Sequence, residues 1–275
     1  MMAKTIKALV ISGYGTNCEM EMAHASRMAG ARTDIVHISE VISGKCNIQD
    51  YNLLNLAGGF LDGDDLGSAQ VSAIRLRHLK IGGDGPSLID EITRFIEQGN
   101  IILGVCNGFQ TLVKSGLLPG IPRGKRIVSL TFNDSGRFED RWVRLSVNKE
   151  SPCIFTRGLE SLYLPVRHGE GKFVTDSAEI LEHIREQNLA TLFYSDDKGK
   201  PTMEYPMNPN GSTDAIAGLC DTTGRIFGLM PHPEAHILPW THPLALTQSR
   251  IGEIPGKGEG LAIFINAVDF IRRHL

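Results

Sequence analysis

Cys106 stands between two glycines, Gly104 and Gly108, where a short apolar run ends and an amphipathic helical pattern begins. This spacing matches a nucleophile elbow with cysteine in place of serine, because small residues on both sides let a buried strand turn sharply into a helix. The first amides of that helix and its dipole would favour a thiolate on the cysteine. We therefore expect Cys106 to be a nucleophile, although these residues alone also fit a small buried cysteine at a strand end.

A second reactive pair, His232 and Glu234, follows another short apolar run. The prolines at positions 231 and 233 favour extended backbone, in which residues i and i+2 point to the same side. Both side chains would then lie at the carboxyl end of a strand, where open α/β sheets carry their catalytic groups. These residues predict a triad in which Cys106 attacks, His232 acts as base and then as acid, and Glu234 orients the imidazole.

Two other interpretations of residues 231–242 stay open. The first is a solvated loop in which the histidine is incidental. The second is a metal site built from His232, Glu234, His236 and His242, but Pro233 separates the first two and no second cluster of metal ligands follows. We expect no metal in this chain.

The chain of 275 residues carries a formal net charge of -3, with 41% hydrophobic and 21% charged residues. That balance is ordinary for a globular protein and gives no electrostatic reason to expect nucleic acid or an anionic membrane as a partner. No apolar run approaches the roughly 18 residues that would span a bilayer. The 5 cysteines are odd in number and widely spread, which is typical of free thiols in a reducing compartment and predicts a cytoplasmic location.

The elements that would position these residues alternate between apolar runs and helical patterns in the first half of the chain. Several of the runs end at glycine, which predicts an open, mostly parallel sheet with helices on both faces. Asn17 would cap the first helix. The predicted strands span residues 5–11, 33–38, 53–57 and 101–105, and the predicted helices span residues 17–29, 68–78 and 88–96.

The second half of the chain predicts additional antiparallel strands. Residues 127–147 alternate apolar and polar side chains around a turn at 133–136, as the two strands of a hairpin would. Further strands are predicted at residues 162–166, 189–194, 215–220 and 226–230, and further helices at residues 177–187 and 261–272. The sequence shows no repeat or linker, so we expect a single α/β domain spanning residues 1–275.

The two reactive motifs, G-V-C-N-G-F-Q at residues 104–110 and M-P-H-P-E at residues 230–234, resemble those of class I (triad) glutamine amidotransferases. Residues 57–64, 167–171 and 208–212 further resemble the glutaminase subunits of phosphoribosylformylglycinamidine synthases, enzymes of purine synthesis. The resemblance runs over nearly the whole chain. It implies a flavodoxin-like class I glutaminase fold and attack of Cys106 on the glutamine carboxamide. A glutamyl thioester would follow, with release of ammonia and then of glutamate.

The same resemblance implies further site residues. Backbone amides of Gly59 and Asn107 would form the oxyanion hole, although the glycine turn equally fits a plain strand end. Gln110 would contact the backbone groups of glutamine, or else serve as an ordinary helix residue. Arg137 would bind the α-carboxylate, or else remain a solvated charge in a turn. Residues 168 and 170 would lie near the site or face a partner subunit.

The resemblance also implies a partner. Gly13 and Gly15 imitate a dinucleotide fingerprint, but Cys18 stands where the third glycine belongs, so we expect no cofactor in this chain. ATP and magnesium would bind a synthetase subunit, accompanied by a small third subunit in some members. The synthetase subunit would use the ammonia to convert formylglycinamide ribonucleotide to its amidine.

Three other functions stay open from the residues alone. The chain could be a class I amidotransferase that serves another acceptor, or a stand-alone cysteine hydrolase of the same fold. It could also be a non-enzymatic sensor that binds glutamine or a partner, although an intact triad disfavours that role.

Overall fold

The computed structural model describes residues 5–250 and 256–275, in which most strands join one mixed sheet. The strands within these residues are β1 (Lys7–Ser12), β2 (Arg32–His37), β3 (Leu53–Leu56), β4 (Ile101–Val105), β5 (Val128–Thr131), β6 (Glu139–Val147), β7 (Ser161–His168), β8 (Lys172–Thr175), β9 (Ala190–Ser195), β10 (Ile216–Cys220) and β11 (Ile226–Leu229). The helices are α1 (Glu19–Met28), α2 (Ile38–Ile42), α3 (Gln70–His78), α4 (Leu88–Glu97), α5 (Asn107–Lys114), α6 (Ala178–Glu186), α7 (Ala245–Arg250) and α8 (Leu261–His274).

The main sheet has 9 strands in the order β2-β1-β3-β4-β11-β10-β9-β6-β7. Strands β2, β1, β3, β4 and β11 are parallel, whereas the pairs from β11 onward through β7 are antiparallel. Strands β5 and β8 form a separate antiparallel pair. The α/β class with additional antiparallel strands is therefore confirmed.

The carboxyl ends of the parallel strands lie together at one end of the sheet. Leu56 of β3 pairs with Gly104 of β4, and Gly104 pairs with Gly228 of β11, so the three strands finish at nearly the same level. The loops that follow β3, β4 and β11 must therefore meet at this carboxyl end, which is where ligands bind in open α/β sheets.

Continuous apolar runs explain why the parallel strands lie in the interior. Every residue of β3 and β4 is buried, as expected for strands covered on both faces. Helix α1 packs on β1, β2 and α8, whereas α5 packs on β3, β4, β11 and α3. We assign α1 and α8 to one face of the sheet and α3 and α5 to the other, as expected for an α/β fold. No helix among the described residues is long and apolar enough to cross a membrane.

The predicted hairpin at residues 127–147 is wrong. Strand β5 pairs with β8, and β6 pairs with β7 and β9, so the two predicted arms do not pair with each other. Alternating side chains indicate only that one face of a strand is buried, and they do not select its partner. The predicted Asn17 cap is also wrong, because Cys18 occupies the cap position of α1 and no side chain caps this helix.

Most other predicted elements agree with the structure, with bounds within about two residues of those observed. Strand β8 and the short helices α2 and α7 are not among the predictions. The single domain over residues 1–275 stays a prediction.

Candidate active site

Cys106 occupies the sharp turn between β4 and α5, with a backbone φ of 51°. A positive φ is rare for a residue other than glycine, and such strain is typical of functional turns. A Cβ atom on Gly104 would lie 2.8 Å from the Gly108 carbonyl oxygen, and one on Gly108 would lie 2.0 Å from the Leu56 carbonyl oxygen. The two glycines therefore allow α5 to start directly against β3 and β4, and the predicted elbow is present.

His232 and Glu234 meet just beyond β11. Nδ1 of His232 lies 2.6 Å from Oε1 of Glu234, and these residues are only 2% and 3% exposed. The predicted extended backbone is wrong at Glu234, because Pro233–His236 form a short 3-10 helix. Proline favours the first position of a helix, and the tight turn still brings the carboxylate to the imidazole.

The imidazole of His232 is placed to act on Cys106. Burial alone would lower the pKa of His232, but the Glu234 carboxylate and Cys106 raise it well above its usual value. Nε2 of His232 has no hydrogen-bond partner among the described residues, so this nitrogen is available for proton transfer. The Cys106 thiol itself lies 3.7 Å from the carbonyl oxygen of Arg167, at the end of β7.

Cys18 is a further neighbour of the imidazole that the sequence did not predict as a site residue. Its Sγ lies 3.8 Å from His232 Nδ1, and burial raises the pKa of its thiol despite the hydrogen bond with His232. A Cβ atom on Gly58 would lie 2.8 Å from His232 Cε1, so the glycine turn also packs directly on the ring.

Cys18, His232 and Glu234 could together hold a metal ion, since their ligand atoms lie within 4.8 Å of one another. The hydrogen bond between His232 and Glu234 already uses two of these atoms and would have to break. Within residues 5–250 and 256–275, His236 and His242 do not join His232 and Glu234 in a group whose ligand atoms lie close enough to hold a metal ion. The absence of a metal stays a prediction.

The predicted oxyanion donors lie on either side of Cys106. Asn107 is the first residue of α5, where backbone N–H groups have no partner within the helix. In the glycine turn, the Phe60 N–H donates to the Gly15 carbonyl oxygen, whereas no backbone bond of the described residues uses the Gly59 N–H. Gly59 also lines the cavity above Cys106. This arrangement supports Gly59 as the donor, and the assignment of both amides stays a prediction.

The side chain of Gln110 is already occupied. Its Nε2 donates to the Glu170 carbonyl oxygen at 2.6 Å, and its Oε1 accepts from Asn107 Nδ2 at 3.1 Å. Asn107 Oδ1 in turn accepts from the Leu61 N–H at 3.2 Å. These bonds favour a structural role for Gln110, which links Asn107 to the loop at Glu170. The sequence had left both a structural role and contact with the substrate open.

The predicted carboxylate ligand Arg137 is exposed in the segment before β6 and is not among the residues that line the cavity. Phe138 and Arg167 line the cavity instead. The substrate role of Arg137 stays a prediction, and Arg167 becomes a second candidate. The only sequence feature that pointed to Arg167 was its position in the R-H-G-E-G stretch at residues 167–171.

Asn133 keeps a proton on Nδ1 of His168. Oδ1 of Asn133 accepts from the Gly171 N–H at 3.0 Å, so the same oxygen must also accept from His168 Nδ1, which lies 3.1 Å away. Burial, with the nearby charge of His232, lowers the pKa of His168 to about 3. A Cβ atom on Gly171 would lie 2.3 Å from the His168 ring, so glycine leaves the space that the imidazole fills.

These elements enclose a cavity of about 230 Å³ with Cys106 and His232 in its lining. Gly59, Arg167 and Glu170 also line it. The volume is below the roughly 300–1,000 Å³ of typical ligand pockets, which suits a substrate as small as an amino acid. A buried thiol, an imidazole with a free nitrogen and unpaired amides can perform acyl transfer on such a substrate.

Comparison with known proteins agrees with this chemistry. The model of the CobB/CobQ-like glutamine amidotransferase domain matches residues 5–271. Phosphoribosylformylglycinamidine synthase subunit PurQ of Methanococcus maripaludis is 42% identical, over 97% of this chain and 98% of that protein. The corresponding PurQ of Dehalococcoides mccartyi is 42% identical, over 98% of each chain. A chain in the structure of PurLQS from Thermotoga maritima is 28% identical with a TM-score of 0.68, over 97% of this chain and 99% of that one. The chain therefore belongs to the CobB/CobQ-like glutamine amidotransferase family, and within that family to the PurQ subunits.

Proposed function

We propose that this chain is the glutaminase subunit of a phosphoribosylformylglycinamidine synthase. It hydrolyses glutamine to glutamate and ammonia, and the ammonia converts formylglycinamide ribonucleotide to its amidine on a synthetase partner. The observation that carries the proposal is the strained Cys106 elbow beside an imidazole whose far nitrogen is bonded to buried Glu234. Near-complete coverage of PurQ relatives supports the choice of acceptor.

The first half of the reaction forms a thioester. The proton of Cys106 passes to Nε2 of His232, and the thiolate attacks the carboxamide carbon of glutamine. The N–H groups of Gly59 and Asn107 stabilise the oxyanion, and each such donor contributes on the order of 3 kcal/mol in comparable enzymes. His232 then donates its proton to the departing nitrogen, so the C–N bond breaks and ammonia leaves.

The second half hydrolyses the thioester. Neutral His232 removes a proton from water, the hydroxide attacks the glutamyl carbonyl, and the C–S bond breaks to release glutamate. Glu234 holds the proton on Nδ1 and stabilises the imidazolium that forms in both halves. The resting state of Cys106 and His232 is thereby restored.

The ligase half of the reaction belongs to the partner. We infer that ATP, magnesium and the ribonucleotide bind the synthetase subunit, with a small third subunit in the assembly. The Thermotoga maritima relative comes from an assembly named PurLQS, which supports a heteromeric arrangement. The free cysteines of the chain are consistent with a cytoplasmic location.

The experiment reconstitutes the complex with its synthetase and measures amidine synthesis from glutamine or from ammonium chloride. Cys106→Ala is expected to reduce glutamine-dependent synthesis by at least about 10³-fold, because the nucleophile is lost. Ammonia-dependent synthesis should remain at the wild-type rate. Undiminished glutamine-dependent synthesis by the variant would refute the proposal. Glutamine hydrolysis coupled only to a different synthetase would instead identify another acceptor.

A further inference from the structure

Glu170 fastens the loop that carries the predicted oxyanion donor. We define this loop, residues 58–69, as the oxyanion segment. Both carboxylate oxygens of Glu170 accept from the Ser68 N–H, at 3.1 and 3.2 Å. Nζ of Lys114 lies 3.8 Å from Glu170 Oε2 and donates to the Ser68 carbonyl oxygen. The pair therefore binds both polar groups of one backbone residue, 102 positions away from Glu170 in the sequence.

This ion pair is buried. The side chains of Lys114 and Glu170 are 5% and 9% exposed. Burial lowers the pKa of Lys114, although the Glu170 carboxylate opposes that shift. Buried ion pairs are poor sources of net stability, because desolvation of both charges offsets their attraction. A role in fixing the position of a backbone segment accounts better for charges placed here.

Two large apolar side chains of the oxyanion segment are exposed, although Ala69 at its end is buried. Phe60 and Leu66 are 42% and 70% exposed, although both are large and hydrophobic. Polar bonds hold the segment along its length. Next to Gly59, the Phe60 N–H donates to the Gly15 carbonyl oxygen at 2.7 Å, and in the middle the Leu61 N–H donates to Asn107 Oδ1 at 3.2 Å. At the far end, Ser68 is held by Glu170 and Lys114. A segment whose large apolar side chains are exposed depends more on such bonds for its position.

The ion pair connects this segment to the nucleophile. Lys114 is the last residue of α5, the helix that begins directly after Cys106. Gly67 passes over the pair, since a Cβ atom there would lie 3.7 Å from Lys114 Nζ and 3.8 Å from Glu170 Oε2. The helix that follows Cys106 and the segment that carries Gly59 are thus joined by this buried contact, in addition to the bond from the Leu61 N–H to Asn107 Oδ1.

We propose that Glu170 and Lys114 are positioning residues, which hold the oxyanion segment so that the Gly59 N–H faces the carbonyl oxygen of the substrate attacked by Cys106. This inference rests on the proposed glutaminase activity. The pair acts through Ser68 and does not contact the reacting atoms. Its loss should weaken binding of the transition state more than binding of the ground state.

The test compares a transition-state mimic with a ground-state ligand in the complete complex. Glutamate γ-semialdehyde adds to Cys106, so that the C–S bond forms and the thiol proton passes to the former aldehyde oxygen, which then occupies the oxyanion site. Glutamate forms no such bond. In Glu170→Gln, kcat/KM for glutamine and the affinity for the semialdehyde are expected to fall together by about 10–100-fold. The affinity for glutamate should change by less than about twofold.

Three further variants sharpen the result. Lys114→Met should give the same pattern, and the double variant Lys114→Met/Glu170→Gln serves if a single unpaired charge prevents folding. Glu160→Gln is the matched control, since its ion pair with Lys149 is exposed and should leave all three quantities unchanged. Equal losses of semialdehyde and glutamate affinity would overturn the proposal by indicating direct substrate contact. Unchanged kinetics in every variant would overturn it as well.

Hydrogen exchange separates this proposal from the proposed function, because it requires no activity. Amides of residues 60–69 in Glu170→Gln are expected to exchange at least about tenfold faster than in the wild type. Amides of α4, which forms no hydrogen bond or ion pair with Lys114 or Glu170 in the described residues, should keep their rates. Unchanged exchange in residues 60–69 would overturn the positioning role, whereas a wild-type complex without glutaminase activity would refute only the proposed function.

Discussion

Nδ1 of His232 lies 2.6 Å from Oε1 of Glu234, and both side chains are buried. The carboxylate keeps a proton on Nδ1, so Nε2 is the nitrogen that faces the chemistry. Attraction in a low-dielectric interior overcomes the desolvation of the imidazolium, which explains why the pKa of His232 is raised. Two consequences of this contact can be measured.

Replacement of Glu234 by glutamine should shift the pH range of activity to lower pH. Without the carboxylate, the pKa of His232 falls, and the imidazolium that protonates departing ammonia is lost at lower pH. The alkaline limb of the glutaminase profile should therefore shift to lower pH, with a loss of maximal rate on the order of 10²–10⁴-fold. The profile of kcat against pH, paired with an NMR titration of His232, checks this. An alkaline limb that stays in place would contradict the assignment.

The same contact should contribute to stability in a pH-dependent way. The pKa of His232 is higher in the folded state than the value of about 6.5 in an unfolded chain, so folding favours the protonated ring. This contribution is fully present below about pH 6.5 and disappears as pH rises through the folded pKa. The loss of unfolding free energy in Glu234→Gln should be larger at pH 6 than at pH 9. Urea denaturation at both pH values measures it, and an equal loss at both would refute the linkage.

Glycine at position 171 should be required for the packing of His168. A Cβ atom there would lie 2.3 Å from the imidazole, whereas one on Gly169 would meet nothing closer than Phe138, at 4.0 Å. Gly171→Ala should lower the free energy of unfolding by about 1–3 kcal/mol through overpacking, and Gly169→Ala by less than about 1 kcal/mol. Chemical denaturation of the two variants side by side provides the comparison. Equal stabilities would show that the ring moves aside without loss.

Arg167 should bind the α-carboxylate of glutamine more than Arg137 does, because Arg167 lines the cavity and Arg137 does not. A charge-assisted guanidinium bond contributes about 1.5–3 kcal/mol, so Arg167→Met should raise KM for glutamine by about tenfold or more. Arg137→Met is the matched control and should stay within about twofold of the wild type. Steady-state glutaminase kinetics distinguish the two. The reverse pattern would support the assignment made from the sequence.

Local features of the site could be predicted from the sequence because they depend on residues that are close together in the chain. Glycine on both sides of Cys106 is needed for the close approach of α5 to β3, and this requirement is visible as a spacing. The contact between His232 and Glu234 was also predictable from two residues, although the backbone between them is helical rather than extended.

Contacts between distant segments could not be predicted in this way. The pairing of β5 with β8 and the bonds from Ser68 to Glu170 join residues that no periodicity connects. Asn133 shows the same limit, since its neighbours in the sequence indicate only a turn. Its side chain instead keeps a proton on Nδ1 of His168, which lies 35 positions away.

The central claim is that Cys106, and not the neighbouring Cys18, is the nucleophile. Both thiols lie near His232, so covalent labelling decides between them most directly. The complex is incubated with an electrophilic analogue of glutamine, with and without excess glutamine, and the labelled peptides are identified by mass spectrometry. We predict one label per chain, on Cys106, that glutamine prevents and that the other four cysteines do not acquire. A label on Cys18, or labelling that glutamine does not slow, would contradict the account.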